Sequence, residues 1–318
     1  MKICVLDAVT LGIDIDWNPL RSLGELTVYQ NTAPDEIAAR IADQEIVLTN
    51  KVVLQETNLS SATQLKLIAI MATGTNNVDL QYTAKRNIVV CNVAGYSTDS
   101  VAQHTFAMLF YLLEHLPFYD NYVKAGGYAA SAIFTNLDRP FWLLKNKRWG
   151  IIGMGSIGRT VAKLANAFGC EVVYFSTSGQ NHQQSYTELP LSDLLQTSDI
   201  VSVHAPLNNN TYHLLGVNEL QQMKTGAVLL NLGRGGIVDE LALKNALERE
   251  WLAAAGLDVL EHEPILTQNP LLQINCPEKL LITPHIAWSS REARNQLLQE
   301  LKLNIEAFLA GQPRNVVA

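Results

Sequence analysis

Short apolar runs alternate with amphipathic segments through the first third of the chain. The runs have the length and β-branched content of buried strands, whereas intervening segments such as Pro34–Ala42 and Asp79–Lys85 have apolar residues at helical spacing. A proline followed by acidic residues at 34–36 suits the first turn of a helix. The predicted strands are Ile3–Leu6, Leu26–Tyr29, Ile46–Leu48, Leu67–Ile70 and Ile88–Cys91. This alternation predicts a parallel sheet with helices on both faces.

A second series of apolar runs follows Asp99–His115, a strongly apolar segment at helical spacing with Ser97 in place to act as its N-cap. The predicted strands of this series are Trp149–Ile152, Val172–Phe175, Ile200–Val203, Val228–Asn231, Ala253–Leu257 and Leu280–Thr283. The last segment, Ser289–Leu309, predicts a long amphipathic helix that returns to pack on the first domain. The predicted fold class is therefore α/β, with two doubly wound parallel-sheet domains formed by residues 1–97 with 289–318 and by residues 98–288.

Composition narrows the class of protein. The chain has 318 residues, of which 48% are hydrophobic and 17% charged, as in a globular enzyme and unlike a disordered protein. The net charge of −7 and the lack of a basic cluster argue against nucleic acid as a partner. The cysteines are scattered without metal-ligand spacing, and no apolar run reaches the length of a membrane span. We expect a cytoplasmic protein with neither a metal nor a membrane partner.

A glycine-rich turn, Gly153-Met-Gly155-Ser-Ile-Gly158, follows the strand that begins the second series. The motif alone is weak, but here a buried strand precedes it and a helical pattern follows it. In that context the glycines allow a tight turn and close approach of the backbone to a pyrophosphate, which the helix N-terminus then binds. The second domain is therefore predicted to be a Rossmann domain that binds NAD or NADP.

The end of the next strand leaves the choice of cofactor open. An acidic residue there would bind the ribose 2′-hydroxyl of NAD, and a nearby arginine would accommodate the 2′-phosphate of NADP. This chain has Ser176 at that position and no Asp, Glu, Lys or Arg between Val172 and Thr187. A serine neither repels nor neutralises a phosphate. The residues therefore slightly favour an enzyme that uses both NAD and NADP.

Three polar residues near predicted strand ends suit the reduction of a carbonyl group. Arg234 can hold a carboxylate through two parallel hydrogen bonds, although it equally suits a structural ion pair at a sheet end. His285 can exchange a proton near neutrality, and Glu263 can hold its ring through the second imidazole N–H. Glu261 is the rival partner for His285. His204, also at a strand end, is interpreted as structural, and His262 as exposed.

Weaker candidates for substrate contacts lie elsewhere in the sequence. Thr73 and Gly74 follow a strand in a segment of small residues, where backbone N–H groups can cradle a carboxylate. The alternative is a plain strand-to-helix turn. Lys51 can face a substrate or be a solvated surface residue, and Trp288 can wall a substrate pocket or pack in the core.

The chain resembles the D-isomer-specific 2-hydroxyacid dehydrogenases along essentially its whole length. The resemblance is carried by the glycine turn, by the segment 223–240 around Arg234, and by the Glu263-Pro and Pro-His285 pairs. It implies a flavodoxin-like substrate-binding domain beside the Rossmann domain, and Arg234, Glu263 and His285 as the catalytic set. It also implies cofactor contacts from Ser156, Ile157, Ser176, Pro206, Leu232, Gly233, Asp258 and Thr98, in addition to the three glycines.

Four segments resemble more specifically the glycerate dehydrogenase, or hydroxypyruvate reductase, branch: residues 49–52, 72–79, 95–104 and 285–288. The activity implied is hydride transfer from NADH or NADPH to hydroxypyruvate or glyoxylate, with D-glycerate or glycolate as product. The alternatives are the same chemistry on D-lactate or a bulkier D-2-hydroxy acid, and a non-catalytic NAD(H)-sensing binding protein. The resemblance also implies a homodimer, and we expect its interface in the apolar and aromatic region Asp99–Asp138.

Overall fold

A computed structural model of the chain describes residues 1–180 and 185–318. The chain divides into two compact units, Met1–Ser97 together with Ser289–Ala318, and Thr98–Trp288. The α/β class with two parallel sheets, predicted from the alternation of strands and helices, is confirmed. Within the described residues, none of the helices combines the length and apolar character that a membrane crossing requires.

The smaller unit is built on a five-stranded parallel sheet of order β2-β1-β3-β4-β5. Its strands are β1 Lys2–Val5, β2 Glu25–Val28, β3 Ile46–Thr49, β4 Leu67–Ile70 and β5 Val89–Cys91. The short helices that connect them are α1 Asn18–Arg21, α2 Ile37–Ile41, α3 Glu56–Leu59 and α4 Leu80–Lys85, with a 3₁₀ turn at Ala8–Leu11. Every residue of β3 and β4 is buried, as expected for central strands that helices cover on both faces.

The larger unit is built on a seven-stranded parallel sheet of order β12-β11-β10-β9-β6-β7-β8. Its strands are β6 Arg148–Ile152, β7 Glu171–Phe175, β8 Thr187–Glu188, β9 Ile200–Val203, β10 Val228–Asn231, β11 Ala254–Leu257 and β12 Leu280–Ile282. Its helices are α5 Thr98–Leu113, α6 Leu116–Lys124, α7 Ser156–Ala167, α8 Leu191–Thr197, α9 Val217–Gln222 and α10 Glu240–Glu248, with 3₁₀ turns at Pro270–Gln273 and Pro277–Lys279.

Successive residues of these strands enter two different hydrophobic cores. Trp149 and Ile151 of β6 pack with α5 and α7 on one face, whereas Ile152 packs with α8, α9 and α10 on the other. The alternation follows from the two-residue period of a strand. The buried indole N–H of Trp149 donates to Ser202 Oγ on β9 at 2.9 Å, so this polar group is satisfied inside the core.

The final helix, α11 Arg291–Leu309, belongs to the smaller unit and contacts β4 and α1. Ser290 is its N-cap, and the hydroxyl accepts a hydrogen bond from the backbone N–H of Ala293. Asn304, which is 1% exposed, donates to the Asn92 carbonyl beyond β5. The return of the C-terminal helix to the first sheet agrees with the amphipathic pattern of its sequence.

The predicted strand bounds differ from the observed ones by at most one residue at each end, but two elements were not predicted correctly. The helix expected at Pro34–Ala42 begins at Ile37, because Pro34–Glu36 form a turn in which the Glu36 carboxylate accepts from the backbone N–H of Ala33. Strand β8 was missed, since a two-residue exposed strand at a sheet edge has no apolar run to mark it.

Candidate active site

The candidate catalytic residues follow three adjacent strands of the larger sheet. Arg234 follows β10, Glu263 lies in the loop after β11, and His285 comes three residues after β12. Because the strands are parallel, their carboxyl ends lie at the same edge of the sheet, where ligands of this fold class bind. The fold thus brings residues separated by about fifty positions in sequence to one edge.

The glycine turn joins β6 to α7 at the same edge. A Cβ at Gly158 would lie 2.2 Å from the Gly153 carbonyl oxygen, so helix and turn can approach this closely only without a side chain. Gly155 is the N-cap of α7, and a Cβ built there has no neighbour within 4 Å. A side chain at Gly155 would therefore fill open space in front of the helix N-terminus, where the backbone N–H groups attract a phosphate. These residues fit a dinucleotide.

Most of the other predicted cofactor contacts lie on the carboxyl side of strands of the larger sheet. Ser156 and Ile157 open α7, Ser176 follows β7, and Pro206 follows β9. Leu232 and Gly233 follow β10, and Thr98 is the first residue of α5. Ser176 is 8% exposed, and its hydroxyl has no hydrogen-bond partner among the described residues. A buried hydroxyl without a partner is a group that a ligand can satisfy, as the ribose of a dinucleotide would.

His285 and Glu263 form a direct pair. His285 Nδ1 lies 2.7 Å from Glu263 Oε2, and the other carboxylate oxygen accepts from the backbone N–H of Leu260 at 3.0 Å. Since an ionised carboxylate can only accept, Nδ1 carries the proton in this pair, and Nε2 is the ring atom that can exchange a proton with a substrate. The side chain of His285 is 26% exposed, so a small molecule can reach it.

Arg234 lies in a tightly bonded loop after β10. Asn231, which is 1% exposed, donates from its amide to the Arg234 carbonyl at 3.0 Å and accepts from the Gly233 N–H at 3.1 Å. One guanidinium nitrogen of Arg234 donates to the Gly233 carbonyl at 2.8 Å. That bond leaves further N–H groups of the fork available for a carboxylate. The structure places Arg234 at the same edge as His285 and does not join the two side chains directly.

Asp258 holds the loop that carries His285. Its carboxylate, 2% exposed, accepts from the backbone N–H groups of Ile286 and Ala287, both at 2.9 Å, and from the Thr283 hydroxyl at 2.6 Å. The Asp258 carbonyl accepts from the backbone N–H of His285 at 2.9 Å. His285 has a φ of 54°, a left-handed conformation that a non-glycine residue rarely adopts without such support.

Glu261, the rival partner for His285, has other contacts. Its carboxylate accepts from the Tyr212 hydroxyl at 3.0 Å and lies 3.6 Å from His213 Nε2. His262 is exposed, and His204 has both ring nitrogens buried without a hydrogen-bond partner among the described residues. Burial lowers the pKa of His204 to about 3, so its ring is neutral near pH 7. Within residues 1–180 and 185–318, neither His204 nor His262 has the carboxylate partner that a proton donor needs.

Asn231 and Glu240 support this edge and were not assigned a role from the sequence. Asn231 orders the loop that carries Arg234, and Glu240, at the start of α10, orders the loop that carries Glu263. The Glu240 carboxylate, 9% exposed, accepts from the backbone N–H of Glu261 at 2.8 Å and from Asn269 at 2.6 Å. A polar residue at the end of a wholly apolar strand, as in Val228–Asn231, is the signal that predicts such a role for Asn231.

The candidate substrate contacts of the smaller unit lie in loops after β3 and β4. Lys51 is exposed, and its backbone N–H donates to Asp7 Oδ2 at 2.6 Å. The exposed Thr73 donates from its hydroxyl to the Val93 carbonyl at 2.9 Å, and Gly74 beside it is half-buried. Trp288, at the end of the larger unit, is half-buried and packs against the core that contains Trp149. Packing is therefore one role of Trp288.

The comparisons with known proteins agree with this geometry. Residues 106–287 match the family described as "D-isomer specific 2-hydroxyacid dehydrogenase, NAD binding domain". A glycerate dehydrogenase of Methylorubrum extorquens is 37% identical over 294 residues, covering 92% of each chain. A hydroxypyruvate reductase of Blautia hydrogenotrophica is 36% identical over 326 residues, covering 100% of this chain and 99% of the relative. A solved acyclic imino acid reductase in complex with NADPH and D-Arg has a TM-score of 0.88 at 30% identity, covering 100% of both chains.

Proposed function

Since the chain belongs to the D-isomer-specific 2-hydroxyacid dehydrogenase family and is an NAD(P)-dependent enzyme of it, we propose that it reduces hydroxypyruvate or glyoxylate. The products are D-glycerate and glycolate. The observation that carries this proposal is the His285–Glu263 pair at the edge of the sheet that also presents Arg234 and the glycine turn. The names of the relatives point to the same small 2-oxo acids.

Each catalytic side chain has one role in the proposed reaction. Arg234 binds the substrate carboxylate through its N–H fork and orients the neighbouring carbonyl group. His285 donates the proton on Nε2 to the carbonyl oxygen, and Glu263 holds the ring through Nδ1 and stabilises the imidazolium before donation. When bound, the reduced nicotinamide supplies the hydride that C2 of the substrate receives. The carbonyl thus gains one hydride and one proton and becomes a hydroxyl group.

The test of this proposal is the initial rate of NADH and of NADPH oxidation by purified protein, with hydroxypyruvate, glyoxylate and pyruvate compared in parallel. Higher kcat/KM with hydroxypyruvate or glyoxylate than with pyruvate supports the proposal. A preference for pyruvate, or for a bulkier 2-oxo acid added to the panel, contradicts the assignment of hydroxypyruvate or glyoxylate as the substrate. Tight binding of cofactor without turnover of any of them contradicts catalysis and favours the sensing role.

We propose that the enzyme accepts both NADH and NADPH. Ser176 occupies the position where an acidic residue would exclude the 2′-phosphate, and its hydroxyl is buried with no partner among the described residues. In the same assays Ser176→Asp should lower kcat/KM with NADPH and leave kcat/KM with NADH within about twofold, because a carboxylate repels the phosphate and binds the ribose hydroxyl. Equal loss with both cofactors would show that Ser176 does not contact the ribose.

A homodimer is proposed from the apolar surface of the larger unit. Several large apolar side chains between residues 116 and 143 are exposed, with Phe134 at 88%, Leu137 at 77% and Leu143 at 73%. A patch of this kind marks an interface, and closed two-fold dimers are the commonest assembly of soluble chains. Sedimentation velocity should give the mass of a dimer for the wild type and of a monomer for Phe134→Asp/Leu137→Asp. A monomeric wild type would refute the dimer.

We propose that the substrate contacts include Lys51, Thr73, Gly74 and Trp288. If Lys51 contacts the substrate carboxylate, Lys51→Met should raise KM for the 2-oxo acid several-fold, a modest effect for one exposed cation, and leave KM for NADH unchanged. An unchanged KM for the oxo acid would make Lys51 a solvated surface residue. The cytoplasmic location also stays a prediction.

A further inference from the structure

Helix α5 presents two polar side chains to the segment that carries His285. Ser100 donates from its hydroxyl to the Ala287 carbonyl at 2.6 Å, and His104 Nε2 lies 3.2 Å from the Thr283 hydroxyl. The two residues are four positions apart and therefore share one face of the helix. The partners of these two hydrogen bonds, Thr283 and Ala287, lie on either side of His285 in sequence. Ser100 is 187 residues from Ala287, and His104 is 179 residues from Thr283.

The hydrogen-bond directions along this chain of groups follow from the chemistry of Asp258. The Thr283 hydroxyl has one hydrogen, and Asp258 Oδ1 lies 2.6 Å away with no hydrogen of its own when ionised. Thr283 therefore donates to Asp258, and it can only accept from His104. It follows that Nε2 of His104 carries a hydrogen and that the hydrogen bonds run from His104 to Thr283 to Asp258.

Asp258 connects this chain of hydrogen bonds to the segment that carries His285. The same oxygen that accepts from Thr283 also accepts from the backbone N–H of Ile286, and the other oxygen accepts from that of Ala287. His104 Nε2 itself lies 3.7 Å from Asp258 Oδ1. Asp258 is 2% exposed, so these donors and not water provide the hydrogen bonds of its carboxylate. Removing one donor would allow the Asp258 carboxylate to shift, and its hydrogen bonds to Ile286 and Ala287 would weaken.

We infer that His104 is a positioning residue of the reaction, which orders His285 through Thr283 and Asp258. The inference rests on the proposed role of His285 as proton donor. His285 must stay in a left-handed conformation, at φ 54°, for its ring to meet Glu263, and the hydrogen bonds of Asp258 keep the backbone there. His104 acts as an N–H donor, so a glutamine, which also carries a terminal N–H, can replace it in this role, whereas a leucine of similar size cannot.

The experiment compares two pairs of variants in the complete enzyme. His104→Leu and Thr283→Val remove a hydrogen-bonding group, and His104→Gln and Thr283→Ser retain one. We expect kcat with the 2-oxo acid to fall roughly tenfold in His104→Leu and further in Thr283→Val, which leaves Asp258 without its closest donor. Both conservative variants should recover most of the rate. The Kd for NADH, measured by fluorescence, should change much less than kcat, because Asp258 keeps the backbone N–H groups of Ile286 and Ala287 as donors.

Controls separate this inference from general damage and from failure of the proposed function. Gln103 is the exposed neighbour of His104 on α5, and Gln103→Leu should retain the wild-type kcat. If Thr283→Val does not fold, as judged by its melting curve, the His104 pair still decides. A wild-type kcat in His104→Leu, or a loss that glutamine does not restore, would overturn the inference. If His285→Ala keeps its turnover, the proposed function fails, whatever His104 shows.

Discussion

The two sheets use the same device at their carboxyl edges, with different results. In the smaller unit Asp7 follows β1, is 2% exposed, and accepts from the backbone N–H groups of Asn50, Lys51 and Val52. In the larger unit Asp258 follows β11, is also 2% exposed, and accepts from Ile286 and Ala287. In each case a buried carboxylate orders the loop that follows a neighbouring strand.

The difference lies in the remaining partners of the two carboxylates. Asp258 also receives the Thr283 hydroxyl and, behind it, His104, and the loop it orders carries a histidine that already has its own carboxylate. For Asp7, burial raises the pKa more than the backbone N–H groups of residues 50–52 lower it, and the loop it orders carries the exposed Lys51. A loop ordered by a buried carboxylate is therefore common to both edges, whereas the proton-transfer chemistry is proposed only for the edge that carries His285.

The largest expected effect tests the proposed proton donor, His285, at the carboxyl edge of the larger sheet. His285→Ala should lower kcat for the 2-oxo acid by about 10²–10⁴-fold, the usual contribution of a positioned acid, while NADH binds with an unchanged Kd. The measurement is steady-state kinetics together with fluorescence titration of NADH. The exposed His262 provides the matched control, since His262→Ala should retain the wild-type kcat. A comparable loss in both variants would mean that His285 has no special role.

A smaller effect is expected at Arg234, which follows β10. Arg234→Lys keeps the charge but removes the planar fork, so kcat/KM for the 2-oxo acid should fall by roughly 10–100-fold. Kinetics with hydroxypyruvate measures it, and the same change at the exposed Arg249 is the control. An unchanged kcat/KM in Arg234→Lys would favour the structural interpretation of this arginine and would leave His285 as the main polar group of that edge.

The smaller edge is tested through Asp7. Asp7→Asn replaces an oxygen that accepts N–H groups by an amide that donates, so the free energy of unfolding should fall by about 1–3 kcal/mol. Urea unfolding measures the loss, with Asp35→Asn at an exposed position as the control. If the loop that Asp7 orders contacts the substrate, KM for the 2-oxo acid should rise while Kd for NADH does not. A stable variant with unchanged KM would end the parallel between the two carboxylates.

The effect that is smallest near neutral pH concerns His204, whose buried ring nitrogens have no hydrogen-bond partner among the described residues. The folded pKa of His204, about 3, is below the unfolded value of about 6.5, so below pH 6.5 the unfolded chain takes up a proton that the folded chain does not. The free energy of unfolding should therefore fall by up to about 1.4 kcal/mol for each pH unit between those two values.

Urea unfolding as a function of pH measures this slope. His204→Leu removes the titrating group and should flatten the slope, since no described residue loses a hydrogen bond to the ring. His262→Gln, a change at an exposed histidine, should leave the slope as it is in the wild type. An identical slope in the wild type and in His204→Leu would show that the folded chain protonates His204 readily.

The sequence by itself was sufficient for every described strand except β8, for the sheet class and for the family. Runs such as Ile200–Val203 are apolar throughout because helices cover both faces of a parallel sheet, and this burial appears directly in the residue types. The glycine turn is similarly readable, because the close approach at Gly158 excludes every side chain. Local requirements of this kind act through a few consecutive residues, so a single sequence displays them.

Only the tertiary structure decided which polar groups meet. Residue type alone leaves Glu261 as a rival to Glu263, which the resemblance favoured, and the fold places Glu261 against Tyr212 and Glu263 against His285. Asp258 was expected to contact the cofactor, and nothing in the sequence indicated that it also orders residues 286 and 287 or that His104 supports it through Thr283. Such contacts form where strand ends and one helix face converge over long sequence separations, and hydrogen-bond partners there depend on distances and angles that residue types do not record.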